Sequence, residues 1–102
     1  MPAITVTIVR FTDESQPGWV ECTLVDAVGV THVFEEKVPI VTAEHLDAQS
    51  AYPRDGVIEC TVISTRWADG RELLTVDTER PAAIQSKAGH VRFEVFSGQV
   101  LM

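Results

Sequence analysis

Gly18-Trp19-Val20-Glu21-Cys22-Thr23 and Gly56-Val57-Ile58-Glu59-Cys60-Thr61 are two copies of one motif, in which a glycine opens a stretch ending in Glu-Cys-Thr. In both copies a turn glycine, a second β-rich stretch and a proline follow in the same order. Repeated units of this kind are typical of a supersecondary element that buries its apolar face against its own copy. The sequence therefore predicts one β-hairpin used twice, over residues 18–39 and 56–81.

The clearest single strand covers residues 3–11, where Ile4, Val6 and Ile8 alternate with threonines. This period of two is typical of a half-buried strand. The same signals predict further strands around residues 20–24, 30–38, 57–67, 71–78 and 89–96. Thr42 as an N-cap, with an acid close behind it, predicts one short helical turn near residues 42–49. We expect an all-β fold with about six strands, as a small open barrel of the oligonucleotide-binding or SH3 type or as a compact sandwich.

Length and composition indicate one soluble domain over residues 1–102. The chain has 102 residues, of which 45% are hydrophobic and 23% charged, an ordinary globular composition. The start lacks a basic segment followed by an apolar stretch, and no apolar run approaches the roughly 18 residues that span a bilayer. We therefore expect a cytoplasmic protein. Cys22 and Cys60 are expected to be buried apolar side chains, with a disulfide between them as the alternative.

The net charge of −7 is unevenly distributed. Between Asp13 and Glu59 ten acidic residues stand against Lys37 and Arg54 alone, which gives that segment a net charge of −8. A region of one sign attracts a basic partner and repels phosphate. Solubility of a small protein is the alternative explanation.

No pattern in the chain predicts catalysis, a cofactor or a metal. Neighbouring residues of a strand point to opposite faces, so the acid pairs Asp13-Glu14 and Glu35-Glu36 cannot each converge on one substrate. The three histidines, His32, His45 and His90, have no metal-binding spacing. The glycines occur where turns need them rather than in a phosphate-binding loop. We expect a protein without enzymatic activity.

The residues predicted to bind a partner are acidic side chains of the first repeat and one aromatic: Asp26, Glu35, Glu36, Glu44, Asp47 and Trp19. A large aromatic near a turn either covers the core or anchors a partner. The alternative is a small β-barrel that binds nucleic acid or a small ligand through its second half, using Trp67 and the arginines Arg66, Arg71, Arg80 and Arg92. Eight basic residues against fifteen acidic ones argue against nucleic acid.

Three stretches carry a resemblance to known proteins: Pro17-Gly18-Trp19-Val20-Glu21-Cys22, Glu36-Lys37-Val38-Pro39-Ile40-Val41, and residues 52–60 with Tyr-Pro-Arg-Asp-Gly-Val-Ile-Glu-Cys. The pattern resembles a family of short bacterial all-β proteins of unknown function, and it implies no catalytic residue. In size and charge the chain also resembles the immunity proteins of contact-dependent toxin systems. That resemblance implies a protein that binds a basic nuclease-type toxin domain and blocks its active site.

Overall fold

The chain forms eight strands and one short helix in the computed structural model, which describes residues 1–102. In chain order they are β1 (Ala3–Asp13), β2 (Trp19–Val25), β3 (Thr31–Lys37), α1 (Val38–Val41), β4 (Arg54–Glu59), β5 (Thr61–Ala68), β6 (Arg71–Asp77), β7 (Arg92–Phe96) and β8 (Val100–Leu101). A 3₁₀ turn at Ser97–Gln99 precedes β8. The fold is therefore mostly β, as the alternating sequence predicts.

The strands form two antiparallel sheets. The larger has the order β3-β2-β1-β4, with β8 also paired to β1, and the smaller has the order β5-β6-β7. Strand β1 is central because Ile4, Val6 and Ile8 are all buried, while Thr7 on its other face is exposed. The register places Ile8 opposite Cys22, which gives β1 a buried apolar neighbour on β2.

Both sheets contribute to one apolar core. A cluster of 18 buried residues contains side chains of β1, β2 and β4 together with Leu74, Val76, Phe93 and Val95 of the smaller sheet. Phe34 of β3 is fully buried, and its ring meets the Phe93 ring edge to face at 5.6 Å between centroids. This contact joins the two sheets directly, and such aromatic pairs favour an edge-to-face geometry.

The predicted strand over residues 57–67 is wrong as a single element. The chain changes sheets at Cys60, whose N–H donates to the Pro2 carbonyl instead of to a ladder. Residues 54–59 therefore pair with β1 in the larger sheet, and residues 61–68 pair with β6 in the smaller one. This division and the short β8 raise the strand count from the expected six to eight. The first copy of the motif lies in the β2–β3 hairpin, whereas the second begins in β4 and ends in β5.

The predicted helical turn at residues 42–49 is also wrong, because the helix lies earlier, at Val38–Val41. Pro39 stands in its first turn, where its missing N–H costs no hydrogen bond. The Thr42 hydroxyl accepts the Glu44 N–H, but Thr42 is extended (φ −158°, ψ 152°) and ends the helix. Threonine hydroxyls that bond two residues ahead stabilise turns in place of helix. Turns and bends therefore fill most of residues 42–50.

Both cysteines are buried and unpaired with each other, which confirms the first of the two expectations. Cys22 lies on β2 opposite Ile8, and Cys60 follows β4 on the other side of β1. Burial raises the pKa of the Cys22 thiol to about 12. It remains a thiol at neutral pH and behaves as an apolar core group.

Candidate functional site

A cleft of about 580 Å³ lies between the β1–β2 turn and the segment that follows β3. Its apolar lining comes from Phe11, Pro17, Val38, Pro39 and Leu46. Its polar lining consists of Glu14, Gln16, Thr42, Glu44, His45 and Asp47, with Gly18 and Ala43 between. The lining includes three carboxylates and neither lysine nor arginine.

Gly18 shapes one wall of this cleft. Its φ of +95° lies in the region that glycine adopts without strain, and its N–H donates to the Ser15 carbonyl to close the turn. A Cβ at this position would lie 3.0 Å from the Phe11 ring. The Gly18 carbonyl accepts the Val38 N–H, and this bond ties the β1–β2 turn to α1. The glycine of the first motif is thus required both by the turn and by the close approach of Phe11.

The opposite wall is the loop after α1, which a single apolar side chain anchors. Leu46 is 2% exposed, although its neighbours Glu44, His45 and Asp47 are all exposed. The Tyr52 hydroxyl donates to the Asp47 carbonyl at 2.9 Å. One Asp47 carboxylate oxygen accepts the Gln49 N–H. These contacts fix the loop and turn its acidic side chains toward solvent at the cleft.

The electrostatic field of the cleft is negative. The Glu44 carboxylate pairs with Arg54, with 2.8 Å between Oε2 and Nη2. The Asp47 carboxylate lies 3.6 Å from Nε2 of the exposed His45, and Glu14 makes no ion pair. Beside the cleft, hydrogen bonds from Ser15 hold the pKa of the Asp13 carboxyl below its ordinary value. The cleft therefore presents Glu14 and Asp47 without a lysine or arginine partner beside an apolar lining, whereas Arg54 balances the charge of Glu44.

Of the six residues predicted to bind a partner, Glu44 and Asp47 meet in this cleft. Trp19 begins β2 directly after Gly18, and the ammonium group of its cross-strand partner Lys37 lies 5.7 Å from the centre of its ring. Trp19 is half-buried, and a cation already occupies its face. It lies next to the cleft but is not part of its lining.

Glu35 and Glu36 lie on opposite faces of β3. Glu35 is exposed and lies opposite Glu21, whose carboxylate pairs with Arg10 at 2.9 Å. Glu36 lies opposite the buried Val20 and is half-buried. Burial raises the pKa of the Glu36 carboxyl, and Glu35 adds to this effect. The two acids therefore do not form one surface, as the strand alternation predicts.

Asp26 lies at the far end of the β2–β3 hairpin from Trp19, about 20 Å away at roughly 3.3 Å per strand residue. It stabilises the turn, because its carboxylate accepts the N–H groups of Val28 and Val30 and lies 2.8 Å from His32 Nε2. Burial raises the pKa of this carboxyl, but these hydrogen bonds outweigh burial and leave it below its ordinary value. The Asp26 carboxylate therefore bonds to groups within the protein itself.

Sequence reasoning missed Glu14, Phe11 and Leu46 as parts of the site. Glu14 lies in the turn cluster between β1 and β2, and the sequence gives no sign that this turn faces the loop after α1. The available signal was the isolated Leu46 among polar residues, because a single leucine in such a loop is often an anchor to the core.

Three of the four arginines of the second half already contact other side chains of the protein. Arg66 forms a bidentate pair with Glu94, at 2.6 Å and 2.7 Å, and Arg92 pairs with Asp77 at 3.0 Å. The Arg71 guanidinium lies 3.4 Å from the centre of the Phe96 ring. Only Arg80 of the four has neither an ion pair nor an aromatic ring.

No three His, Cys, Asp or Glu side chains are grouped closely enough to hold a metal ion. No helix has the length and apolar character needed to cross a membrane. Comparison of the chain with family models, with curated proteins and with solved structures gives no match.

Proposed function

We propose that this protein is a non-enzymatic binding domain that accepts a basic segment of another protein in the cleft between the β1–β2 turn and the loop after α1. The observation that carries the proposal is that the lining of this cleft contains three carboxylates, Glu14, Glu44 and Asp47, and neither lysine nor arginine. Lysine and arginine side chains have an apolar stem and a charged head. The stem matches Phe11, Pro17 and Pro39, which are accessible in the cleft lining. The head matches the carboxylates.

Among non-enzymatic binding domains, we propose specifically that this protein is an immunity protein. A nuclease-type toxin has a cationic cleft for its phosphate substrate, and an acidic protein surface is electrostatically complementary to it. Size, charge and the resemblance to immunity proteins support this choice. The two sheets that share one core also favour the sandwich over the barrel among the expected architectures.

The alternative, nucleic acid or a small ligand bound through the second half, has less support. Arg66 and Arg92 are paired with carboxylates, so they would have to break these pairs to neutralise phosphates. Arg80 and Lys87 alone remain without an ion pair or an aromatic ring in that half of the chain. Affinity for nucleic acid depends on the number of phosphates that are neutralised.

A matched pair of triple variants tests the proposal. Glu14→Gln/Glu44→Gln/Asp47→Asn removes three charges from the cleft, and Asp69→Asn/Glu72→Gln/Glu79→Gln removes three from the second half. Calorimetric titration with a lysine-rich peptide should show affinity at least about tenfold weaker for the cleft variant than for the control variant. Equal losses in both variants would indicate binding to net charge alone and would contradict a cleft site.

The immunity function has its own test. If the gene beside this one encodes a basic toxin domain, cells producing that domain should survive with the wild-type protein and with the control variant. They should die with the cleft variant. Measurable, salt-sensitive binding of a single-stranded oligonucleotide by the wild type would instead favour the alternative.

A further inference from the structure

Arg54 is the only lysine or arginine of the chain that pairs with a carboxylate of the cleft lining. Its Nη2 atom lies 2.8 Å from Oε2 of Glu44, and Glu44 is one of the three lining carboxylates. The other arginine ion pairs, those of Arg10, Arg66 and Arg92, involve carboxylates outside this lining. Arg54 therefore already occupies a position at which a partner's cation would bind.

Arg54 reaches Glu44 from outside the cleft. It begins β4, where the register places it opposite the fully buried Ile8 of β1, and it is not a lining residue. The Arg54 side chain is 28% exposed, whereas the Glu44 side chain is 64% exposed. The larger sheet thus fixes the base of the arginine, and Glu44 extends to it from the loop after α1.

A second cation gains little at a carboxylate that is already paired. The arginine guanidinium stays charged at every pH at which proteins fold, so Glu44 and Arg54 together are neutral. A lysine head that approaches Glu44 is attracted by the carboxylate and repelled by the guanidinium at similar distances, and the two Coulomb energies largely cancel. If the lysine displaces Arg54 instead, one exposed ion pair is broken for each one formed.

Glu14 and Asp47 differ from Glu44 in this respect. Glu14 forms no ion pair, and the only charged partner of Asp47 is the exposed His45, at 3.6 Å. A cation that enters the cleft therefore meets no competing lysine or arginine at either carboxylate.

We propose that Arg54 is a built-in competitor, which lowers the affinity of the cleft for cationic segments and directs their charged heads to Glu14 and Asp47. This role rests on the proposed function, because it concerns the same cleft and the same class of partner. It makes Arg54 a determinant of specificity, since a segment that offers a cation only to Glu44 is not retained.

A matched pair of single variants tests the competition. Arg54→Gln and Arg92→Gln each remove one positive charge and one ion pair, but the partner of Arg92, Asp77, lies outside the cleft. In calorimetric titration with the lysine-rich peptide, Arg54→Gln should bind about two- to fivefold more tightly than Arg92→Gln, the scale of one exposed ion pair. Equal affinities, or weaker binding by Arg54→Gln, would overturn the proposal.

A double-mutant cycle shows whether the gain acts through Glu44. In the Glu44→Gln background, Arg54→Gln should bind the peptide no more tightly than Arg92→Gln does in that same background. A gain that persists without the Glu44 carboxylate would contradict competition at this site.

Arg54→Lys separates loss of charge from a change of structure. The pair with Glu44 is a single contact, so a lysine ammonium can replace the guanidinium. This variant should keep the affinity within about twofold of the wild type, with an unchanged circular dichroism spectrum. An affinity as high as that of Arg54→Gln would show that the gain does not come from the lost charge.

The cleft and control triple variants distinguish failure of this role from failure of the proposed function. If the cleft binds the peptide but Arg54 does not compete, the cleft variant loses affinity more than the control variant, and Arg54→Gln equals Arg92→Gln. If the cleft is not the site, the two triple variants lose affinity equally. Absence of binding by every protein, the wild type included, would overturn both proposals.

Discussion

Glu36 and its neighbour Glu35 show how strand alternation places adjacent carboxyls in different environments. The position of Glu36 opposite Val20 turns it toward the core side of the larger sheet, whereas Glu35 faces solvent. Burial, assisted by Glu35 and opposed by Lys37, raises the pKa of the Glu36 carboxyl above 4.5. The folded state then holds this proton more tightly than the unfolded state, so ionised Glu36 lowers stability at neutral pH.

We predict that Glu36→Gln stabilises the protein at pH 7 by about 0.5 kcal/mol, the usual scale for a partly exposed position. The gain should shrink as the pH falls and should vanish below the ordinary glutamate pKa, where the wild-type side chain is neutral in both states. Urea denaturation at a series of pH values measures this. Glu59→Gln, at an exposed position on β4, is the control that removes the same charge elsewhere. An equal or lower stability of Glu36→Gln at pH 7 would contradict the predicted sign.

At the level of elements, Gly56 explains how β4 fits between β1 and α1. A Cβ on Gly56 would lie 2.8 Å from both Cγ1 and Cδ1 of Ile8 and 3.1 Å from the Val41 carbonyl oxygen. The glycine that the sequence analysis assigned to a turn is thus buried within a strand. Its role is close approach of backbone to a neighbouring side chain, a recognised use of glycine in strands.

Gly56→Ala should lower the free energy of unfolding by about 1–3 kcal/mol, the usual cost of overpacking. Gly98→Ala is the matched control, because a Cβ there meets nothing within 4 Å and neither glycine has a positive φ. Thermal or urea unfolding of the two variants measures the difference. Equal stabilities would show that β4 moves freely away from Ile8 and that the packing described at this site is wrong.

The elements also show what the sequence could and could not predict. Alternation identified β1 and the β2–β3 hairpin because each has one buried face. It could not reveal the break at Cys60, because residues 57–67 remain β-rich while the chain changes sheets. The Thr42 N-cap signal was also misleading, since the same hydroxyl bond stabilises a turn.

For the whole molecule, the charge excess of the first half is not one continuous surface. Glu21 is paired with Arg10, and the partly buried Asp26 carboxylate bonds to His32. Neither therefore adds to the exposed negative charge. Glu44 and Asp47 come to the cleft, where they meet Glu14. Charge counting could therefore predict an acidic region but not its location, because the cleft depends on the contact between the β1–β2 turn and α1.

An NMR titration of the isotope-labelled protein with a lysine-rich peptide tests whether this cleft binds a cationic partner. Binding in the cleft should give saturable amide shifts concentrated at Phe11, Gly18, Glu44 and Leu46, with little change along β5 or at Asp26. Shifts spread evenly over all acidic residues, or confined to the exposed face around Glu35, would contradict it.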